Sequence, residues 1–255
     1  MARFDLTDVE WDLIRPLLPN KPRGVARVDD RRVLNGIFWV LRTGSPWRDL
    51  PERYGPSTTV YNRFNRWAKA GVWIQVFEEL AAKSPDSMQF IDSSIIRAHQ
   101  HAASGKKGGE DHAIGRSRGG LSTKINAMVD ANGLPVAITL APGQASDKAA
   151  VPALLATRKV VGDVVADRGY DAHAILEMIA QKGGRGHIPT QKDRKHQRSV
   201  DPRIYSRRNL VEHFFNKLKH FRKIATRYEK TARNYMAAVL IACSRLWMRF
   251  YESAT

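Results

Sequence analysis

Near residue 87 the hydrophobic period of this 255-residue sequence changes, and that change constrains the fold more than any other feature. Before it, apolar residues recur every three or four positions, as on amphipathic helices. Leu6-Thr7-Asp8 supplies a cap for a first helix carrying Trp11, Ile14, Leu17 and Leu18, which Pro19 ends. A basic loop follows, from Asn20 to Gly24. Asp29 or Asp30 caps a second helix with Val33, Leu34, Ile37, Phe38, Val40 and Leu41, and Gly44 stops it. Pro46 to Pro51 reads as a turn around a buried Trp47. Ser57 then caps a third helix. Val60, Phe64 and Trp67 face inward on it, and Thr59, Asn62, Arg63 and Arg66 form an exposed polar face. A fourth helix runs from Gly71-Val72-Trp73 to Leu80. Lys83 to Asp86 reads as a boundary between an all-helical domain, 1–86, and a second domain, 87–255.

From Met88 the elements alternate. Gln89 to Ser94 is a short apolar run broken by Asp92, read as a core strand. Residues 102–120 are rich in glycine and base, including Lys106 and Lys107. Leu121 to Val129 and Pro135 to Leu140 read as two strands, joined as a hairpin through Asp130-Ala131-Asn132-Gly133, with Asp130 structural. Ser146 or Asp147 caps a helix through Leu155, and Asp163 to Asp167 is another core strand. Asp171 caps a helix through Gln181, and His187-Ile188-Pro189 is a last short strand. Two further helices close the chain. A strand and hairpin followed by alternating helices and strands implies a mixed α/β sheet flanked by helices.

Charge bears on partners. The formal net charge is +17, and residues 182–233 hold 16 Lys or Arg against 4 Asp or Glu. Such an excess attracts polyanions. A basic membrane-surface protein is the rival. No apolar run approaches the ~20 residues of a spanning helix, no signal peptide opens the chain, and Met1 to Asp5 reads as a cytosolic start. The one cysteine, Cys243, excludes an intrachain disulfide or a cysteine-based zinc cluster and reads as a buried small hydrophobe.

Within the basic region, Tyr205 to Lys219 reads as one amphipathic helix. Counted from Glu212, Tyr205, Arg208 and Lys219 stand at −7, −4 and +7, offsets that fall within roughly 60° of one another. Alone, that face could be a solvated surface with an Arg208–Glu212 ion pair. Two acids elsewhere change its meaning. Asp92 and Asp167 each end an apolar strand, and working groups of open α/β sheets gather at the carboxyl ends of strands. Three such carboxylates with no cation would repel one another. Oxygen ligands without cysteine suit Mg²⁺ or Mn²⁺, and two ions about 4 Å apart can clamp both oxygens of a phosphodiester displacement.

Here the residues resemble a known family. Tyr205-x-x-Arg208-x-x-x-Glu212-x-x-x-x-x-x-Lys219 is similar to the Y-R-E-K signature of bacterial insertion-sequence transposases of the "four" and "five" groups. Ala166-Asp167-Arg168-Gly169-Tyr170 resembles the A-D-x-G-Y segment around their second Asp, and Phe90-Ile91-Asp92-Ser93-Ser94 their first-Asp strand. Arg97 to His101 and the Trp47-Arg48-Asp49-Leu50-Pro51 turn look like the "five" group. The resemblance implies a ribonuclease-H-like mixed sheet, β-β-β-α-β-α-β-α, behind a helical, helix-turn-helix-like DNA-binding domain. It implies a DDE transposase that binds terminal inverted repeats and cuts and joins DNA. Only 45 positions separate Asp167 from Glu212, too few for the β insertion domain of some larger relatives.

The expected roles follow from chemistry and resemblance together. Asp92, Asp167 and Glu212 hold the metal, Mg²⁺ or Mn²⁺, as two ions. Arg208 and Lys219 bind phosphates near the cut, and Tyr205 bonds a phosphate or stacks on a base. Arg168, Thr59, Asn62, Arg63 and Arg66 add DNA contacts. His99, His101 and His112 flank the DNA with Lys106 and Lys107 rather than hold a transition metal, and Lys124 reads as solvated, the alternative being that it points toward the acid cluster. The expected partners are double-stranded DNA, as element ends and target, and a second copy of the chain in a synaptic dimer. The expected location is the bacterial cytoplasm, at the nucleoid. Another ribonuclease-H-like nuclease or resolvase, or a DNA-binding protein with a dead core, are the alternatives. No G-x-x-x-x-G-K-[ST] supports a nucleotide-driven motor.

Overall fold

The computed structural model describes residues 3–19, 28–85, 87–103, 112–156 and 162–254. The basic loop expected at 20–24, Asp86 of the boundary, and Lys106 and Lys107 lie outside the described residues. The chain opens with four helices. In α1 (Asp8–Ile14), Thr7 and Glu10 form a reciprocal capping box. Asp29 caps α2 (Asp30–Thr43), accepting from the Arg32 amide at 2.7 Å. Gly44 ends α2 at φ 78°, and a Cβ there would stand 2.9 Å from that of Arg222. In α3 (Ser57–Lys69) the expected cap fails: Ser57 is the first helical residue, after Pro56, and no side chain caps the turn. Then comes α4 (Val72–Ala81), entered through Gly71 at φ 72°. Between α2 and α3 lie two 3-10 turns, Trp47–Asp49 and Glu52–Tyr54. That link is longer than the three or four residues that join a helix-turn-helix pair, so α2 and α3 do not form a tight one. Trp47 is half-buried against Tyr61 and Phe64 rather than enclosed.

The second half carries, in order, β1 (Met88–Ala98), α5 (Gln100–Ala103), β2 (Gly115–Ser117), β3 (Gly120–Asp130), β4 (Pro135–Pro142), α6 (Val151–Ala156), β5 (Asp163–Ala166), α7 (His173–Gln181) and β6 (Arg185–His187). It ends with α8 (Pro202–Ser206), α9 (Asn209–Lys219), α10 (Arg222–Ala225), β7 (Thr226–Arg227) and α11 (Ala232–Ala254). The main strands lie in the order β4-β3-β1-β5-β6. β3 and β4 run antiparallel outward from β1, while β5 and β6 run parallel on its other side. This is the ribonuclease-H-like arrangement expected from the sequence. The hairpin is held as read: Asp130 is buried and accepts from the Ser84 hydroxyl and the Asn132 and Leu134 amides, with Gly133 at φ 72°. Two- and three-residue strands such as β7 and β2 carry too few positions to show a period, and the sequence reading missed both.

Other expectations shift. Ile95 to Ala98, which the sequence allows either to extend the first strand or to leave it, extend β1 to Ala98, with Ile96 and Ala98 buried. Lys124 is not solvated. It is buried and paired with Asp147 at 2.7 Å, and Ser93 donates to the same carboxylate at 2.6 Å. Side chains alternate along strands, so this pair lies on the opposite face of the sheet from Asp92. Asp171 does not cap α7, whose cap position is Ala172. Instead the buried Asp171 accepts from the Gln191 amide, Arg194 (3.0 Å) and Arg198 (3.3 Å), pinning the loop after β6.

α11 ties the halves together. Its apolar length, including the buried Cys243, packs on α4, α1 and α3 on one side and on β4 and α9 on the other. Trp247 donates to the Pro135 carbonyl at 2.8 Å and Tyr251 to that of Leu80 at 2.6 Å. Arg245 and Glu10 form a buried ion pair at 2.5 Å. Among the described residues no helix is long and apolar enough to cross a membrane.

Two measurements check these supports. Glu10→Ala leaves the buried Arg245 uncompensated and breaks the α1 capping box, so urea denaturation should show a loss of about 3–5 kcal/mol. Asp171→Asn removes the charge that two partly exposed arginines face. It should cost about 1–3 kcal/mol and hasten tryptic cleavage within residues 191–203. Unchanged stability and cleavage would remove Asp171's role.

Candidate active site

The site begins with strand register. β1 and β5 are parallel, and Ile91 pairs with Ala166 as the last partners. The next step along each strand is Asp92 and Asp167, so adjacent strands carry them side by side at about the 4.8 Å strand spacing. Asp167 leaves the sheet there and caps a 3-10 turn, Arg168–Tyr170, accepting from the Gly169 amide at 2.8 Å. Asp92 stays within β1. Its Oδ1 accepts from the Ser93 amide at 2.7 Å.

The third acid arrives on α9. Val211, Phe214, Phe215 and Leu218 bury one face of this helix over β1 and β3, leaving Glu212 on its first turn, half exposed. Arg208 stands just before it. One guanidinium nitrogen donates to Asp92 Oδ2 at 3.1 Å and the other to Glu212 Oε1. A single cation thus joins the strand acid to the helix acid.

Electrostatics agree. Burial raises the proton affinity of Asp92 above that of an ordinary aspartate. The Ser93 amide and Arg208 oppose the rise, and the charges of Asp167 and Glu212 add to it. Burial also works against the Arg208 charge, but Glu212 and Asp92 outweigh it and hold its proton more tightly than usual. Tyr170 packs beneath, its hydroxyl buried near Ser93 and Asp147 and its proton held by that burial.

The expected single helix from Tyr205 to Lys219 is broken. Arg207 and Arg208 form a tight turn between α8 and α9, with the Arg208 amide bonded to the Tyr205 carbonyl. Tyr205 therefore does not continue the α9 face. It lies on α8, half-buried against the core. Lys219 is exposed at the far end of α9, about 10 Å along the axis from Glu212. There it shares a cleft of about 470 Å³ with Arg3, Arg42 and Arg222. The sequence reading missed these three arginines because they come from separate parts of the chain. Arg168 is exposed beside Asp167.

The α3 face divides. Thr59, Asn62 and Arg66 line a cleft of about 550 Å³ with Asn65 and Lys69. Its other wall is Arg233 and Asn234 at the start of α11, where Asn234 donates to Asn65 at 2.7 Å. Arg63 is a correction: it is buried, paired with Asp30 and stacked on Trp67. An arginine so enclosed cannot reach a ligand.

Chemically, the three carboxylates are a hard-oxygen set of the kind Mg²⁺ or Mn²⁺ takes. As the side chains stand, no three His, Cys, Asp or Glu among the described residues are close enough to hold a metal ion. Arg208 fills that part of the space with its own positive charge. For this donor set to hold a divalent cation, Arg208 would have to yield one carboxylate.

Comparison with known proteins is consistent with this geometry. A family described as transposase DDE domain matches residues 83–247, and one described as transposases of the IS4/5 family matches residues 6–77. A Brucella ovis sequence described as a transposase for insertion sequence element IS6501 is 40% identical over 130 residues, 51% of this chain and 100% of that one. An uncharacterized 16.2 kDa protein of insertion element IS402 from Burkholderia cepacia is 41% identical over 130 residues, 46% of this chain and 86% of that one. Among solved structures, a piggyBac transposase synaptic complex with hairpin DNA aligns at TM-score 0.50 and 10% identity, covering 98% of this chain and 73% of that one. That likeness bears on the fold. With the register that brings Asp92 beside Asp167 and the helix that carries Glu212, the matched families place this chain among the DDE transposases of the IS4/5 insertion-sequence group.

Proposed function

We propose that this transposase binds the terminal inverted repeats of its own insertion sequence and performs divalent-metal-dependent cleavage and strand transfer at one site, the triad Asp92, Asp167 and Glu212. The observation that carries the reading is the placement of Asp92 in β1 beside Asp167 just after β5, with Arg208 bridging Asp92 to Glu212 on α9. Bound between them, divalent cations would supply positive charge to the attacking and leaving oxygens of a phosphodiester.

The chain's own groups do the rest. Arg208, released from a carboxylate, presents a planar fork to a phosphate. Lys219 and the neighbouring Arg42 and Arg222 hold the strand further along α9. Arg168 lies beside Asp167 for the same purpose, and Tyr205 offers a phenol at the edge. Attack of water on the scissile phosphorus breaks the P–O3′ bond and frees a 3′-hydroxyl. That hydroxyl then attacks a target phosphodiester in the same site, with no covalent protein–DNA link. The α3 cleft, with Thr59, Asn62 and Arg66, reads the repeat. Joining two ends calls for two copies of the chain.

Labelled element-end DNA with Mg²⁺ tests the chemistry. Asp92→Asn, Asp167→Asn and Glu212→Gln should each lower cleavage and joining at least about 100-fold while the variants still bind DNA. Full joining by Glu212→Gln would overturn the mechanism, and cutting without joining by the wild type would make the protein a nuclease instead. Binding should weaken steeply with salt. Arg66→Ala should flatten the slope of log affinity against log salt by about 0.9 if Arg66 meets one phosphate, and an unchanged slope would remove it from the interface.

A further inference from the structure

A second cavity lies beside the α3 cleft, and nothing in the proposed mechanism uses it. Its volume is about 760 Å³, within the range of small-molecule sites of roughly 300–1,000 Å³. Six aromatic rings wall it: Trp47 from the turn after α2, Tyr61 and Phe64 on α3, His99 after β1, His101 on α5, and Tyr228 after β7. Trp47 and Tyr61 stand 5.4 Å apart between centroids, and His99 stacks on Tyr228 at 4.8 Å. Tyr61 and Tyr228 are both well exposed for rings of their size. In a monomeric surface such edges normally find cover.

The cavity also has a polar floor. Glu229 lines it, and its Oε2 is buried yet accepts no hydrogen bond. A buried acceptor without a donor costs stability and calls for an explanation. Lys223, whose ammonium lies 4.9 Å over the Tyr228 ring, offsets part of the charge without bonding that oxygen. The segment is held firmly. Arg227 is fully buried and donates to the carbonyls of His112 (2.7 Å) and Glu229 (3.0 Å), which fixes Tyr228 and Glu229 at the cavity. Asn234 lines both this cavity and the α3 cleft, so the two adjoin at that residue.

We propose that this cavity takes one unstacked, amine-bearing nucleobase of the bound DNA, held between the aromatic walls with its amino group donating to Glu229 Oε2. The inference rests on the reading of DNA as the ligand. Three observations choose the occupant. Aromatic walls bind a base by its π-face whatever its sequence. The Glu229 carboxylate takes the Tyr228 and Glu229 amides, and its remaining oxygen, Oε2, without a donor, selects an exocyclic amine, as Glu does for the cytosine N4 group. The cations that would hold the flanking phosphates, Arg66, Lys69 and Arg233, line the adjoining cleft. The base leaves the stack and enters an already formed slot, so the cost of binding falls where that base is unpaired beforehand.

Element-end duplexes carrying one unpaired cytosine, moved position by position, are titrated with wild-type protein and with Trp47→Ala, Tyr228→Ala and Glu229→Gln. The wild type should bind the duplex with the cytosine at one position roughly tenfold tighter than the fully paired parent. Trp47→Ala and Tyr228→Ala should lose that gain, and Glu229→Gln should narrow the preference for cytosine over thymine at that position. Tyr228 is more exposed than Trp47, so it keeps the test readable if Trp47→Ala does not fold. Arg66→Ala should weaken binding to every duplex alike and keep the gain. If the wild type binds the paired parent but favours no unpaired position, or if both aromatic variants keep the gain, this inference fails while the transposase reading stands. If the wild type binds no element-end DNA at all, that reading fails with it.

Discussion

The parallel register of β1 against β5 is the constraint on which the site depends. Ile91 faces Ala166, so the next residues, Asp92 and Asp167, must lie side by side. A slip of one residue would turn either acid into the opposite face of the sheet. The apolar residues around them prevent that slip, since Phe90, Ile91, Val164, Val165 and Ala166 are all buried. Asp92 is therefore held by a core strand, and Asp167 by the turn that directly follows one. The helix that adds Glu212 is seated the same way, through Phe214, Phe215 and Leu218.

Arg208 resolves the electrostatic problem that this arrangement creates. Burial raises the proton affinity of Asp92, and the charges of Asp167 and Glu212 add to that rise. A guanidinium shared between Asp92 and Glu212 neutralises much of that repulsion within the chain itself. The same group is well shaped for a phosphate. On the proposed mechanism, loading metal and gripping DNA would be coupled, since each would draw on the arginine that bridges Asp92 and Glu212.

Much of this was legible in the sequence. The strands, the hairpin at Asp130 and the acids Asp92, Asp167 and Glu212 follow from periodicity, turn chemistry and the resemblance. Among the features that were not, three concern residues placed at or near a functional face. The break at Arg207–Arg208 interrupts the helix for less than a turn, and the apolar spacing runs through it undisturbed. Arg63 shares the polar stripe of α3, and only its partner Asp30, far away in sequence, reveals that it is buried. Lys124 looked like a solvated strand residue until Asp147 was found against it. Each miss depends on a long-range charge pair or a local backbone turn, which composition and period do not record.

The central claim is that Asp92, Asp167 and Glu212 form one divalent-cation site. Electron paramagnetic resonance of Mn²⁺ titrated into DNA-free protein measures this without relying on catalysis. Wild-type protein should take up Mn²⁺, and Asp92→Asn, Asp167→Asn and Glu212→Gln should each weaken uptake by about 10–100-fold. Equal Mn²⁺ binding by the wild type and all three variants would contradict the account.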